Sequence, residues 1–230
     1  MKDYIVLDLE TQYEFADVGG RAYPHLLKIS VVGLYSYKKD KFMIFEEDRI
    51  YELEKILKDV GLLIGFNTKY FDYQVLQPYM KEINLKDIPS CDIMEDIANV
   101  LGHRLSLDSI AKATLNTKKS GHGLDAIKYF REGRMDELKS YCLDDVRITR
   151  DIFDYGRKYE QIFFNEKGSE KKLAVPVYWE EYNSNFKHKI AIDEISNITE
   201  NINSADTIED NVEDLPVASD EVKNKNYSLF

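Results

Sequence analysis

The sequence has little cysteine, and none of it is arranged for chemistry. Cys91 and Cys142 lie far apart, and neither belongs to a Cys-x-x-Cys pair. That excludes a disulfide framework and a thiolate zinc site, and leaves two buried thiols in a reducing compartment as the expectation. Histidine is also scarce: His25, His103 and His188 show no metal-ligand spacing. No apolar run approaches the ~20 residues needed to cross a bilayer. With no secretory leader and no internal repeat in view, a cytoplasmic protein is expected. Basic charge is lacking too. The formal net charge is −11, which by itself argues against a phosphate-rich partner. The deficit is unevenly placed, however. From Asp193 onward ten acids face only Lys223 and Lys225, so the tail carries −8 and the rest of the chain −3. A carboxylate-lined metal site would account for that remainder, and nucleic acid is not excluded.

What is present suffices for one sizeable core. The chain has 230 residues, 43% of them hydrophobic, which suits a single domain with a small appendage. Tyr4-Ile5-Val6-Leu7 reads as a buried strand at the start of the chain. Leu26 to Tyr37 is a second strand, and Lys39-Asp40 turns it into Phe42-Met43-Ile44-Phe45. The period then changes. Ile50, Leu53, Ile56 and Leu57 recur at helical spacing, and Gly61 ends that helix before the buried run Leu62 to Phe66. A helix from about Tyr70 to Tyr79 and a short strand from Ser90 to Ile93 follow. Beyond them the chain is mainly helical: Met94–Leu101, Leu107–Thr114, Leu124–Arg131 and Asp136 to about Tyr159. Leu173 to Trp179 reads as a last strand, confined by Pro176 to an edge. Three antiparallel strands followed by alternating helix and strand predict an α/β fold, a mixed sheet flanked by helices. From about Asn183 the composition turns to Asn, Ser, Asp and Glu, which predicts a disordered acidic tail over 183–230 and a folded domain over 1–182.

Three places carry acids that a core would not tolerate without a reason. The first is Asp8-Leu9-Glu10-Thr11, at the end of the first strand. In a strand, Asp8 and Glu10 point to the same side. Held together they repel and lose solvation unless a cation lies between them. The alternative is that the strand ends at Asp8 and both acids are solvated. The second is Asp72, just after the fourth strand, in Asn67-Thr68-Lys69-Tyr70-Phe71-Asp72. The carboxyl end of that strand should lie beside the end of the first, bringing Asp72 to face Asp8. Alternatively Asp72 is a first-turn acid favoured by the helix dipole. The third is Tyr141-Cys142-Leu143-Asp144-Asp145 in the long helix. Leu138, Tyr141, Cys142, Asp145, Ile148 and Ile152 fall on one apolar face, so Asp145 sits where an unpaired carboxylate is costly. Tyr141 is one turn earlier, and either reaches the same place or is an ordinary core aromatic. Asp144 points elsewhere. Four carboxylates with no soft donor suit Mg²⁺ or Mn²⁺.

These motifs resemble those of the DEDD superfamily of 3′–5′ exonucleases, on the ribonuclease H-like fold, over roughly Asp3 to Tyr159. Asp8-Leu9-Glu10-Thr11 resembles the first motif. Asn67 to Asp72 is similar to the Asn-x-x-x-Phe-Asp motif of family-B DNA polymerase proofreading domains, and Tyr141 to Asp145 to the Tyr-x-x-x-Asp motif. The tyrosine branch is implied, because the histidine branch wants His where Ser140 stands. Leu107 to Ala111 and Gly123 to Tyr141 also look like stand-alone bacterial and phage members. The resemblance implies a mixed five-stranded sheet flanked by helices, and two ions held by Asp8, Glu10, Asp72 and Asp145. Asp8 would bridge both ions, Glu10 and Asp145 would complete the tighter one, and Asp72 would hold the second. Tyr141 would orient the attacking water. Thr11, Asn67 and Phe71 would touch the terminal nucleotides, with Phe71 equally open to a core role. The implied reaction releases nucleoside monophosphates from single-stranded or frayed ends, DNA being favoured over RNA. The alternatives are the same chemistry on RNA, a different metal nuclease, and a catalytically silent nucleic-acid-binding module.

Two further stretches invite partners. Lys118-Lys119-Ser120-Gly121-His122 joins two helices and either meets a phosphate backbone or is a solvated loop. The chain ends in Asn226-Tyr227-Ser228-Leu229-Phe230. It resembles the Gln-Leu-Ser-Leu-Phe peptide by which bacterial polymerases and repair enzymes bind the sliding clamp, with Asn226 for Gln and Tyr227 for Leu. Tyr227, Leu229 and Phe230 would make that contact, and the alternative is a terminus with a few chance apolar residues.

Overall fold

Strand β1 (Asp3–Thr11) is the axis of the molecule. In the computed structural model, which describes residues 2–117, 123–166 and 171–179, it is the central strand of a five-stranded sheet. Strand β2 (Ile29–Ser36) pairs with it antiparallel, and β3 (Lys41–Glu46) pairs antiparallel with β2. On the other side β4 (Val60–Gly65) and β5 (Ser90–Asp92) run parallel to it, in the order β3-β2-β1-β4-β5. The expected mixed α/β sheet flanked by helices is therefore present, with strand ends differing from the expectation by a few residues.

Alternation along β1 divides the core in two. Ile5, Leu7 and Leu9 join Leu53 and Leu57 of α1 (Ile50–Leu57) and Val75 and Leu76 of α2 (Asp72–Leu76). Val6 faces the opposite layer, where Ile93 and Ile97 of α3 (Ile93–Leu101), Ile110 of α4 (Leu107–Leu115) and Ile148 and Phe153 of α6 (Met135–Tyr159) pack together. Helix α5 (Gly123–Arg131) leans on α6 and the end of β1. Asp8 and Glu10 continue the face that begins with Val6.

One glycine lets this layer close. Gly33 pairs with Asp8 across the β1–β2 ladder. A Cβ there would come within 2.9 Å of Cys142 Sγ, 3.1 Å of Val146 and 3.3 Å of Leu143. The missing side chain is what allows α6 to lie directly on β2, and it sets Asp145 above Asp8. At the opposite end of β1, Ser36 Oγ donates to Asp3, whose other oxygen accepts the Lys38 N–H at 2.9 Å.

Two expectations are corrected. The second helix is a single short turn, Asp72–Leu76, followed by a 3-10 turn at Gln77–Tyr79, because Pro78 cannot continue the α ladder. The last strand, β7 (Lys172–Pro176), does not join the main sheet. It forms a hairpin with β6 (Gln161–Asn165), a strand the sequence reading passed over. Residue Glu160, at φ 54°, caps α6 in the left-handed region and turns the chain at once into β6. The acidic stretch 183–230, the clamp-like ending and the Lys118–His122 loop lie outside the described residues. Among the described residues no helix is long and apolar enough to cross a membrane.

Candidate active site

Strand β1 does not end at Asp8. It runs on to Thr11, so Asp8 and Glu10 share a face, and both are half-buried. Asp145 comes down on that face from α6, only 2% exposed. Each of the three offers one carboxylate oxygen, and these oxygens lie within 4.8 Å of one another. The expected acids on strand and long helix therefore converge. The donor set is all hard oxygen, with a spacing that a divalent cation can bridge.

Asp72 opens α2, is 3% exposed, and is not part of the three-carboxylate group. Burial pushes its carboxyl well above the usual carboxylate range. Its own N–H opposes that shift, the charge of Asp92 adds to it, and the Leu9 N–H again opposes it. The contact with Leu9 fixes Asp72 at the carboxyl end of β1, as the parallel run of β4 requires.

Tyr141 is 4% exposed and packs with Val31, Ala126, Leu138 and Cys142. Val31 is the cross-strand partner of Glu10, so Tyr141 and Glu10 lie on the same face of the sheet. Asp144 points away and pairs with Arg147 at 2.8 Å, as a surface acid would. Cys142 is the residue that sequence reasoning missed. Its thiol lies 3.6 Å from the Asp8 backbone oxygen and 4.0 Å from Asp8 Oδ2. Burial pushes that thiol well above its ordinary range, and the charges of Asp8, Glu10 and Asp145 push it further. It is a neutral thiol beneath the carboxylates. The signal for it was its place on the helical stripe between Tyr141 and Asp145.

Beside Glu10 a cleft of about 330 Å³ opens between the end of β1, the chain that follows it, Phe71 and α5. Its walls include Thr11, Tyr13, Phe15, Phe71 and Leu124. Phe15 and Phe71 meet edge to face at 6.0 Å, and Arg131 of α5 ties the β1–β2 connection down through Asp17 at 2.5 Å. Thr11 and Phe71 thus line the cleft together. Phe71 also packs against the core behind it. Asn67 does not line the cleft. It adopts φ 65°, and its N–H donates to Asp92 Oδ1 at 2.8 Å.

A family model described as the RNase H superfamily matches residues 15–156. The match begins after Asp8 and Glu10 and takes in Asp72, Tyr141 and Asp145. A search of curated proteins found no match. Membership suggests a nuclease, a hydrolase acting on nucleic acid, and such nucleases typically use divalent metals of the kind that an acidic cluster suits. With more than half of the chain matched and β1 set between an antiparallel pair and a parallel pair of strands, the chain belongs to the RNase H superfamily.

Proposed function

We propose that the protein is a metal-dependent 3′–5′ exonuclease that releases nucleoside monophosphates from single-stranded or frayed DNA ends. The observation that carries this reading is the meeting of Asp8, Glu10 and Asp145 with ligand oxygens within 4.8 Å of one another, beside a cleft with aromatic walls. Three carboxylates from a strand and a buried helix position suit Mg²⁺ or Mn²⁺. Asp8, Glu10 and Asp145 would hold one ion, and Asp8 with Asp72 the second. Two such ions, when bound, supply an activated water and charge stabilisation at the leaving oxygen of a phosphodiester.

The chain's own residues do the rest. Tyr141, on the Glu10 face of the sheet, orients the attacking water through its hydroxyl. Phe15, Phe71 and Tyr13 offer ring faces and edges on which a terminal base can stack whatever its identity. Thr11 lines the cleft and would meet the sugar or the terminal phosphate. Among the described residues no basic side chain lines the cleft. The aromatic walls favour a splayed single-stranded end, held by stacking. The folded domain would span 1–182, and the acidic 183–230 would tether a clamp-binding ending at Tyr227, Leu229 and Phe230.

The test is digestion of 5′-labelled and 3′-labelled single-stranded DNA and RNA with Mg²⁺, Mn²⁺ or EDTA. Stepwise shortening of the 5′-labelled strand, immediate mononucleotide release from the 3′-labelled strand and silence in EDTA are expected. Internal cuts, or the reverse polarity, would overturn the exonuclease reading.

A further inference from the structure

We infer that Asp92 is a positioning residue, which holds the Asn67–Asp72 loop in the shape that presents Asp72 to the site. The inference rests on the reading of Asp72 as a metal-holding acid.

Asp92 ends β5, directly beside Gly65 at the end of β4. It is 1% exposed. Its Oδ1 accepts the Asn67 N–H at 2.8 Å and the Glu95 N–H at 3.3 Å, and its Oδ2 accepts the Lys69 N–H at 3.0 Å. One carboxylate therefore caps α3 and takes two alternate N–H groups of the loop between β4 and α2. Asn67 sits at φ 65°, in the left-handed region that Asn enters more readily than most residues, and its N–H is held there by Asp92. Thr68 folds so closely over the end of β4 that a Cβ on Gly65 would overlap its hydroxyl. The chain then continues through Phe71, which lines the cleft, to Asp72. Two strongly held N–H bonds at the start of a six-residue loop fix where its last residue arrives, and bonds to a buried carboxylate are the strong kind. The placing of a second buried acid next to Asp72 is costly in charge repulsion. That cost makes sense if the bonds to the loop are what Asp92 is there for.

Two substitutions separate capping from positioning. Asp92→Asn keeps the shape but turns an N–H donor towards the Lys69 N–H. Asp92→Ser keeps a good helix cap for α3 but offers one acceptor where the loop uses two oxygens. Amide hydrogen exchange of the metal-free protein reads the loop directly, and thermal unfolding checks the fold. We expect the Lys69 amide to lose protection in both variants, and at least one of the Asn67 and Lys69 amides to be left without its acceptor in Asp92→Ser. Turnover on single-stranded DNA should fall by about 10–100-fold, with KM changed by no more than about twofold. The double variant Asp72→Asn with Asp92→Ser should be no slower than Asp72→Asn alone, because both act at one point. Retained amide protection, wild-type turnover in both Asp92 variants, or losses that multiply in the double variant would overturn the inference. Wild-type turnover in Asp72→Asn itself would overturn the reading of Asp72, and the inference with it, even where the amides lose protection.

Discussion

Asp145 is a carboxylate in the middle of an apolar helical stripe, 2% exposed, and it is the residue whose position is hardest to explain without a cation. It was legible in the sequence because a helix repeats at 3.6 residues, and the stripe from Leu138 to Ile152 passes straight through it. Asp8 and Glu10 were legible for the matching reason in a strand. Tyr141 was legible as a place on that stripe, but its role is a proposal that one substitution tests. Tyr141→Phe should lower turnover by about one to three decades, roughly 1.4–4 kcal/mol, more than it raises KM, in steady-state kinetics on a short oligonucleotide. Native turnover would return Tyr141 to a purely packing role. Asp72 gives a prediction about the metal-free protein. Burial holds its folded pKa above its unfolded value, so the folded state binds this proton more tightly. Its contribution to stability is present at low pH and is lost as pH rises through the folded pKa. Asp72→Asn should therefore raise the metal-free Tm at neutral pH and flatten the fall in Tm with rising pH. A Tm lower than wild type at pH 7 would contradict this.

Among the elements, α6 on β2 is the contact that assembles the site, and Gly33 is what permits it. No period in the sequence announces this. A glycine inside a strand weakens it, and which helix will lie over the gap is settled only by tertiary packing. Cys142 escaped notice for the same reason, since a thiol on an apolar stripe looks like any other core residue. Strand β6 was missed because it follows α6 with no intervening loop, the turn being made by Glu160 alone. The two loop N–H groups that donate to Asp92 come from 25 and 23 residues earlier in the chain, beyond the reach of local pattern. Gly33→Ala should test the packing argument. A Cβ 2.9 Å from Cys142 Sγ overpacks the interface, costing about 1–3 kcal/mol, and lifts Asp145 away from Asp8. Chemical denaturation should read the lost stability, and turnover should fall with it. Adding Cys142→Ala should recover part of both. A Gly33→Ala protein as active and as stable as wild type would refute the close approach as a requirement.

At the scale of the whole molecule, residues 193–230 hold −8 of the net charge of −11, and we propose that they take no part in the chemistry. A chain ending at residue 182 should therefore release nucleotides from short single strands at the full-length rate. A peptide ending at Phe230 should bind a bacterial sliding clamp in a fluorescence titration, and Leu229→Ala with Phe230→Ala should abolish that binding. Binding unchanged by the double substitution would remove the clamp proposal while leaving the domain's chemistry untouched. The central claim is narrower: the three carboxylates on β1 and α6 form a metal-dependent nuclease centre. The most direct test is the rate of mononucleotide release from 3′-labelled single-stranded DNA with Mn²⁺, measured side by side for the wild type and Asp145→Asn. The account predicts stepwise release by the wild type that stops with chelator, and no release by a folded Asp145→Asn protein. Release by Asp145→Asn at the wild-type rate, or wild-type release that persists in chelator, would contradict it.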